Sequence, residues 1–273
     1  MEQRALGRSG LDVPVIGMGT WRTFDVHGQR EVADRRLVVD NALTAGATLF
    51  DTSPMYGEAE RVLARALNGR REKAIVADKV WTSSAREGRE QVRRALEWYE
   101  GSVEIYQIHN LVDWRQHLPL LEELRERGQV RVVGATHYQH SALGELMAVM
   151  RTGRIQMVQI PYSAADRVVE RDVLPLAQDL GLGVLVMQPL GTGRLVRREP
   201  RPGELERLEC FGVHTWAQAL LKWIASDPRV HCVLPATSRP ERARENAAAG
   251  DPPWFDADAR EYVAGLARPT PGR

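Results

Sequence analysis

Four side chains in the first half of the chain have types and spacing suited to proton transfer: Asp51, Tyr56, Lys79 and His109. Three of them end segments that read as β-strands, and Tyr56 follows Asp51 by five residues. A phenol gives up its proton poorly near neutral pH, because its pKa is about 10. A nearby ammonium lowers that pKa, and a carboxylate can hold the ammonium in place. The four residue types therefore predict a site where Tyr56 protonates an oxygen that is becoming an alkoxide.

Each of these residues alone also suits an ordinary structural role. Asp51 could cap a helix, Tyr56 could pack on a rim, and His109 could be a hydrogen-bonded histidine at a strand end. Four complementary groups at three successive strand ends are much harder to explain in this way. Lysine is also rare, because it occurs only at Lys73, Lys79 and Lys222. This bias indicates that position 79 requires an ammonium.

Short apolar runs rich in β-branched residues alternate with amphipathic stretches along the chain. The eight predicted strands span residues 13–20, 47–51, 74–80, 103–108, 131–136, 156–161, 183–188 and 230–236. The predicted helices span residues 31–45, 58–67, 87–99, 116–127, 141–150, 171–180, 214–226, 240–248 and 255–267. Such alternation indicates an α/β fold with parallel strands, and eight units in about 250 residues favour a closed (β/α)8 TIM barrel.

Three further segments complete the predicted organisation. Residues 4–13 contain a Gly/Ser turn and read as an N-terminal β-hairpin, which we expect to close the barrel bottom. No linker divides the chain, so one domain over residues 1–273 is predicted, with a mobile tail at 267–273. The connection 189–213 is unusually long, which is typical of a lid or a flexible loop. Active sites of such barrels lie at the C-terminal ends of the strands, where the four side chains would meet.

Composition and charge exclude several functional classes. The net charge of +1 creates no field that would attract nucleic acid or an anionic membrane. No run of 18 apolar residues predicts a membrane span, and the N-terminus lacks an apolar signal core, so a cytoplasmic protein is expected. Cys210 and Cys232 form no disulfide or metal framework. His137 and His140 have metal-like spacing, but a loop pair without a carboxylate partner predicts no metal site.

The motifs around these residues resemble those of the aldo-keto reductase family over nearly the whole chain. The matching segments are Gly17–Trp21, Phe50–Thr52, Tyr56–Gly57, Lys79, Gln107–His109, Val133–His137, Gln159–Ile160, Pro189–Gly191, Leu234–Arg242 and Glu245–Asn246. Their order and spacing are far more specific than any one segment. The resemblance implies that Asp51, Tyr56, Lys79 and His109 form a catalytic tetrad. Tyr56 would donate the proton, Lys79 and Asp51 would tune it, and His109 would orient a carbonyl that receives hydride from a reduced nicotinamide.

The residues themselves favour NADPH as the source of that hydride. No strand–Gly-x-Gly-x-x-Gly–helix fingerprint occurs, so a Rossmann site is not expected. Thr237 or Ser238 can instead cap the helix that begins at Pro240, leaving backbone N–H groups free for a phosphate. Arg239 and Arg242 add charge at the same turn, and arginine suits a ribose 2′-phosphate.

The resemblance also implies a wider set of contacts around the cofactor and the substrate. The cofactor residues would be Thr20, Asp51, Thr136, His137, Gln159, Met187, Gln188, Leu190, Gly191, Gly193, Thr237, Ser238, Arg239, Arg242, Glu245 and Asn246. Gln159 is expected at the nicotinamide carboxamide, where His137 replaces the family's usual asparagine. Met187 stands where the family commonly has a stacking aromatic. The substrate pocket is expected to include Trp21, Trp81 and Asn110.

These observations predict an NADPH-dependent enzyme that reduces a small-molecule aldehyde or ketone to an alcohol, with a monomer favoured. One alternative is a cofactor-binding regulatory subunit of the same fold with little turnover. Another is a barrel lyase or aldolase that uses Lys79 as a Schiff-base amine. The sequence alone does not name the substrate.

Overall fold

The chain forms an N-terminal hairpin followed by a nearly closed barrel of parallel strands in the computed structural model, which describes residues 1–268. The hairpin pairs β1 (Gln3–Ala5) with β2 (Asp12–Pro14). The barrel strands are β3 (Met18–Gly19), β4 (Leu49–Asp51), β5 (Ile75–Val80), β6 (Val103–His109), β7 (Val130–Thr136), β8 (Met157–Pro161), β9 (Gly183–Met187) and β10 (Cys232–Val233). Single bridges from Ile16 to Val233 and from Gly19 to Ala236 join the first strand to the last. The predicted (β/α)8 barrel is confirmed.

Helices connect consecutive strands, as parallel pairing requires. They are α1 (Gln29–Thr44), α2 (Ala59–Leu67), α3 (Ala85–Trp98), α4 (Trp114–Glu126), α5 (Leu143–Arg151), α6 (Val173–Leu180), α7 (Pro202–Glu206), α8 (Trp216–Ala225), α9 (Pro240–Ala247) and α10 (Ala257–Ala267). Polar caps fix several starts: Ser84 accepts the Glu87 N–H at 3.3 Å, and Asp256 accepts the Ala259 N–H at 2.8 Å. None of the helices in residues 1–268 is long and apolar enough to cross a membrane.

The N-terminal hairpin closes the bottom of the barrel, as predicted. Leu6, Leu11 and Val13 are buried against the inward-facing side chains at that end of the strands. The hairpin turn lies directly beneath β9, because a Cβ atom on Gly7 would be 2.4 Å from the backbone nitrogen of Gly183. Gly7 also has a positive φ of 55°, which glycine tolerates best. With the lower end filled by apolar side chains, polar chemistry is confined to the upper, C-terminal rim.

The first and last barrel strands are shorter than predicted. The apolar run 13–20 is predicted as one strand, but Pro14 ends β2 and only Met18 and Gly19 belong to β3, with a single bridge at Ile16 before it. Likewise, only Cys232 and Val233 of the predicted strand 230–236 are in β10. The apolar pattern of residues 13–20 does not reveal that part of it pairs with the hairpin.

The long connection 189–213 is folded rather than free. It contains α7 and short 3-10 turns at residues 191–193, 195–197 and 209–211. The indole of Trp216 donates to the carbonyl of Leu195 at 2.9 Å, which holds the connection to the barrel. Of the predicted mobile tail 267–273, Ala267 is the last residue of α10 and Arg268 donates to Glu261 at 2.9 Å, so these two residues are held by the helix. Residues 269–273 lie outside the described residues.

Alternation along β5 and β6 decides which side chains face the barrel interior. Lys79 is in register with Gln107, and Asp78 is in register with Tyr106. Successive side chains on a strand point to opposite faces, so Lys79 and Gln107 face inward while Asp78 and Tyr106 face the surrounding helices. β5 thus places the ammonium of Lys79 in the barrel interior and the carboxyl group of Asp78 against the surrounding helices.

Candidate active site at the C-terminal rim

A buried ion pair lies at the centre of the site. The Nζ atom of Lys79 is 2.8 Å from Oδ1 of Asp51 and 2.6 Å from the carbonyl oxygen of Thr52. Lys79 is fully buried and Asp51 is 5% exposed. Burial alone would lower the pKa of Lys79, but Asp51 and the phenol of Tyr56 outweigh it, and the pKa is raised. Lys79 therefore remains an ammonium at neutral pH.

Tyr56 lies above this ion pair on a tight turn. Pro54–Tyr56 forms a 3-10 turn that begins after Ser53, whose hydroxyl accepts the Met55 N–H at 3.2 Å. The Nζ atom of Lys79 is 5.1 Å from the centroid of the Tyr56 ring. The expected lowering of the phenol pKa is not found, because burial raises the pKa of Tyr56 by more than Lys79 lowers it. Tyr56 is therefore protonated at neutral pH.

His109 completes the tetrad from the end of β6. Its ring meets the Tyr56 ring edge to face, with centroids 5.7 Å apart and an angle of 88°. The resemblance implies that His109 orients a substrate carbonyl. Its Nδ1 atom lies 2.7 Å from the hydroxyl of Ser53, which leaves Nε2 for such a contact. Burial, followed by the charge of Lys79 and the nearby His137, lowers the pKa of His109 to about 2, so the ring is neutral.

Asp51 also accepts hydrogen bonds from two side-chain amides. Nε2 of Gln159 donates to its Oδ1 at 2.7 Å, and Nε2 of Gln107 reaches the same atom at 3.4 Å. The hydroxyl of Thr20 donates to the Asp51 carbonyl at 3.0 Å. Thr136 joins the network by donating to the carbonyl of Gln159 at 2.9 Å. Gln107 was not among the predicted site residues, although its place two residues before His109 puts it on the same strand face.

A cavity of about 60 Å³ lies beyond the ends of β8 and β9. Its lining residues are Pro161, Tyr162, Ser163, Ala165, Asp166, Gln188, Gly191, Arg194 and Leu195. Gln188 and Gly191 were predicted at the cofactor, whereas Ser163 and Asp166 were missed. Asp166 also binds His140 at 3.0 Å, so the expectation that His140 lacks a carboxylate partner was wrong. The position of Ser163 just past a strand end was the available signal.

The start of α9 offers a second polar surface, with a different cap from the one predicted. The N-cap residue is Arg239 rather than Thr237 or Ser238, because the Thr237 hydroxyl accepts the Arg239 N–H at 3.1 Å before the helix begins. Arg239 and Arg242 are exposed, and neither forms a salt bridge with a carboxylate in the described part of the chain. This donor set fits an anionic group.

The other cofactor residues predicted on and before α9 differ in how exposed they are. Thr237 and Asn246 are buried in a narrow cleft between α1 and α9, with Gly17 and Met18 on its floor. Ser238 and Glu245 are exposed on the same side. Thr237 and Ser238 precede α9, whereas Glu245 and Asn246 lie in its last turn.

The remaining residues predicted to contact the cofactor or the substrate are spread around the rim. Met187 and Leu190 are half-buried at the end of β9, and Gly193 closes the adjacent 3-10 turn. Trp21 is half-buried beneath the guanidinium of Arg22, 4.4 Å from its ring centroid.

The rim near His109 and His137 is aromatic and partly open. Trp81 is 41% exposed, and its ring centroid lies 6.5 Å from that of His109. Asn110 is half-buried with a positive φ of 53°. Tyr138, which was not predicted, is 46% exposed and stacks on His137 at 5.6 Å.

A second pair of buried carboxyl groups lies between the outer face of β5 and α2. It consists of Asp78 on β5 and Glu60 on α2. Oδ1 of Asp78 accepts the Lys79 N–H at 2.8 Å. Oδ2 of Asp78 is buried and has no donor within residues 1–268 unless Glu60 carries a proton. Burial, followed by the charge of Asp78, raises the pKa of Glu60 to about 10. Burial also raises the pKa of Asp78 to about 6, although Lys79 and a hydrogen bond from Glu60 oppose that shift. Glu60 is therefore neutral at pH 7 and can share its proton with Asp78.

The nearly closed barrel, with its titratable groups gathered on the upper rim, has the architecture of a barrel enzyme. The family model described as aldo/keto reductase family matches residues 15–266, and the chain belongs to that family.

Relatives agree with this assignment, and solved structures share the fold. The chain is 27% identical to the NADH-specific methylglyoxal reductase of Escherichia coli (strain K12), covering 98% of this chain and 100% of that protein. It is 27% identical to the methylglyoxal reductase YeaE of the same organism, covering 91% and 89% of the two chains. An aldo/keto reductase from Klebsiella pneumoniae, solved with NADP and acetate, superposes with a TM-score of 0.82 at 22% identity, covering 100% of this chain and 98% of that one. The holo form of an aldo-keto reductase from Bacillus halodurans gives a TM-score of 0.81 at 24% identity, covering 98% and 97%.

Proposed function

We propose that this protein reduces a small aldehyde or ketone to an alcohol with NADPH as the reductant. The observation that carries the proposal is the arrangement of Tyr56 above the buried Lys79–Asp51 pair, with the neutral ring of His109 edge-on to the phenol. Reduction needs a hydride, which a reduced nicotinamide supplies when bound. The reaction also needs a proton donor and groups that stabilise the negative charge developing on the carbonyl oxygen. These four side chains offer both.

The direction in which each pKa is shifted indicates the role of each group. Tyr56 holds its proton at rest, because burial raises the pKa of the phenol. When charge develops on a carbonyl oxygen, the ammonium of Lys79 stabilises the phenolate that remains after proton donation. His109 is neutral and can donate a hydrogen bond to the same oxygen. Lys79 is an unsuitable Schiff-base amine, because a buried ammonium paired with Asp51 is not nucleophilic.

The groups available to a nicotinamide and its phosphates support NADPH. Gln159, Thr136 and His137 would hold the carboxamide end, where Oε1 of Gln159 has only a long 3.4 Å contact from the Thr136 hydroxyl. Arg239 and Arg242 would hold a 2′-phosphate, since both guanidinium groups are exposed at the start of α9. One E. coli relative is NADH-specific, so the preference requires a direct test.

The substrate class follows from the rim and the relatives. Two E. coli relatives are methylglyoxal reductases, and the rim here combines exposed aromatic rings with the polar Asn110. A short 2-oxoaldehyde has adjacent carbonyls that suit such a mixed surface. We therefore propose methylglyoxal-like oxoaldehydes as the first compounds to test.

The decisive experiment compares Tyr56→Phe with Tyr262→Phe, because each variant removes one phenol hydroxyl. Tyr262 lies on α10 and donates to the Glu204 carbonyl at 3.0 Å, away from the rim. Tyr56→Phe should lower kcat by about 10²- to 10⁴-fold, the usual contribution of a general acid, with little change in NADPH affinity. Tyr262→Phe should retain the full rate. A Tyr56→Phe variant with normal turnover would show that another group donates the proton.

Cofactor preference is tested by replacing the arginines at α9. Arg242→Gln should raise the NADPH dissociation constant by about 10- to 100-fold, the range expected from losing one charge-assisted contact, without weakening NADH. Arg244→Gln changes an exposed arginine elsewhere on the same helix and serves as the control. Equal effects on both cofactors would refute the 2′-phosphate assignment. Tight NADPH binding with no carbonyl reduced in any assay would favour the regulatory alternative.

A further inference from the structure

We propose that Ser53 is a positioning residue that fixes the tautomer of His109, with the ring proton on Nε2. The inference rests on the proposed function in one respect, because that N–H is the group that would hydrogen-bond a carbonyl oxygen. The underlying observation is the 2.7 Å contact between Oγ of Ser53 and Nδ1 of His109. Both residues are buried, Ser53 completely and His109 with 5% exposure. The contact is therefore shielded from competing water.

The direction of this hydrogen bond follows from counting donors and acceptors. A serine hydroxyl has one proton to donate and two lone pairs that can accept. Oγ of Ser53 already accepts the Met55 N–H at 3.2 Å. If Nδ1 of His109 carried the ring proton, the hydroxyl would accept a second time and its own proton would need another acceptor. Residues 1–268 offer no such acceptor, and a buried hydroxyl without one is unfavourable.

The consistent arrangement has the Ser53 hydroxyl donating to Nδ1, which must then be unprotonated. A neutral imidazole carries one proton, so that proton is on Nε2. The low pKa of His109 agrees with a neutral ring. Nε2 has no hydrogen-bond partner in the described part of the chain and remains available as a donor toward the open rim.

The same hydroxyl also shapes the turn that carries Tyr56. Ser53 is the N-cap residue of the turn Pro54–Tyr56, so its Oγ ties the start of that turn to the ring of His109. A proton donor and a hydrogen-bond donor that serve one substrate oxygen need a fixed separation. One serine, three residues before the tyrosine, sets both the turn and the ring.

The test reads the tautomer directly in protein labelled with ¹⁵N at histidine. Long-range ¹H–¹⁵N correlations distinguish a protonated from an unprotonated ring nitrogen, and His109→Gln identifies the His109 signals by their loss. Wild-type protein, Ser53→Ala and Ser226→Ala are compared. Ser226 is the matched control, because its hydroxyl also accepts a backbone N–H, from Phe255, and donates to a nearby acceptor, the Lys222 carbonyl.

The wild-type protein and Ser226→Ala should show His109 with its proton on Nε2. Ser53→Ala should show a tautomer mixture or a proton on Nδ1, with kcat lower on the order of 10- to 100-fold from lost alignment and NADPH affinity nearly unchanged. A wild-type proton on Nδ1 would overturn the proposal, and so would an unchanged spectrum in Ser53→Ala. If the wild-type protein reduces no carbonyl yet shows this tautomer pattern, the proposed function fails while the assignment of Ser53 stands.

Discussion

The amide nitrogen of Gln159 lies 2.7 Å from Oδ1 of Asp51, the same oxygen that binds the ammonium of Lys79. Sequence comparison suggested only a cofactor role for Gln159. Its side chain is instead part of the charge network, because one of its two amide protons is donated to Asp51, while its oxygen and second amide proton remain for a ligand. The link connects β8 to β4 across the barrel, so the ion pair and the candidate carboxamide contact share one residue.

Gln159→Leu should therefore affect both stability and cofactor binding. Losing a hydrogen bond to a charged acceptor should cost about 1.5–3 kcal/mol of unfolding free energy, measured by urea denaturation. NADPH affinity should fall at least about 10-fold in a fluorescence titration, since the amide oxygen is lost as well. Gln156→Leu is the control, because Gln156 binds the Val133 N–H at the opposite end of the barrel. Similar cofactor affinities in the two variants would contradict this double role.

Lys79→Met should destabilise the protein by leaving Asp51 as a buried charge without its partner. The expected loss is about 3–5 kcal/mol of unfolding free energy. The double variant Asp51→Asn with Lys79→Met should recover part of that loss, because no charge then remains. Lys73→Met removes an exposed lysine and should leave stability unchanged. If Lys79→Met were as stable as Lys73→Met, the ion pair would not be a structural element.

Glu60→Gln should change how stability depends on pH. The pKa of Glu60 is raised to about 10 in the folded protein, so folding retains a proton that the unfolded chain releases above about pH 4.5. The stability that this proton contributes is full below that pH and is lost as pH rises toward 10. The slope for one such group reaches at most about 1.4 kcal/mol per pH unit. Glutamine cannot ionise and can still donate a hydrogen bond to Asp78. The unfolding free energy of the variant should therefore vary less with pH than that of wild type and be at least as large at pH 9.

The acid pair does not titrate in isolation. The charged and titratable groups that act on it are Asp51, Lys79, Arg94, Tyr99 and Tyr106. None of these is changed in Glu60→Gln, so a difference from wild type reports Glu60 itself. Glu72→Gln, which removes an exposed carboxyl, should retain the wild-type slope. An unchanged slope in Glu60→Gln would mean that Glu60 is ionised in the folded state.

Gly57→Ala should disturb the turn that carries Tyr56. Gly57 has a φ of 62°, and a Cβ there would lie 2.3 Å from Oδ1 of Asp25. Gly69 also has a positive φ, 77°, but no atom within 4 Å of such a Cβ, so Gly69→Ala measures the cost of a positive φ without a steric clash. That cost should be about 1 kcal/mol in urea unfolding, while Gly57→Ala should cost more and also lower kcat. Equal costs and an unaffected kcat would indicate that Asp25 simply moves aside.

The strand-end residues were predictable because their positions follow from periodicity. A β/α alternation fixes a parallel barrel, and the two-residue period puts Lys79 and His109 on its inner face. The same rule could have identified Gln107, which was overlooked. Neither inference needs any knowledge of loop geometry.

Contacts that depend on loops or on helix-to-strand packing were not predictable. Ser53 reaches His109 only because the turn after β4 bends the chain back over β6. Glu60 meets Asp78 only through the packing of α2 on the outer face of the barrel. The pKa of Tyr56 likewise depends on how deeply the phenol is buried, which outweighs the neighbouring ammonium. No local spacing encodes these distances.

The hairpin at the barrel bottom separates the residues that stabilise the fold from those of the candidate site. Leu6, Leu11 and Val13 are buried against the inward-facing side chains at the lower ends of the strands, whereas Lys79, Asp51 and His109 lie at the upper ends. A substitution in the hairpin should therefore change the unfolding free energy and leave the geometry around Tyr56 unchanged.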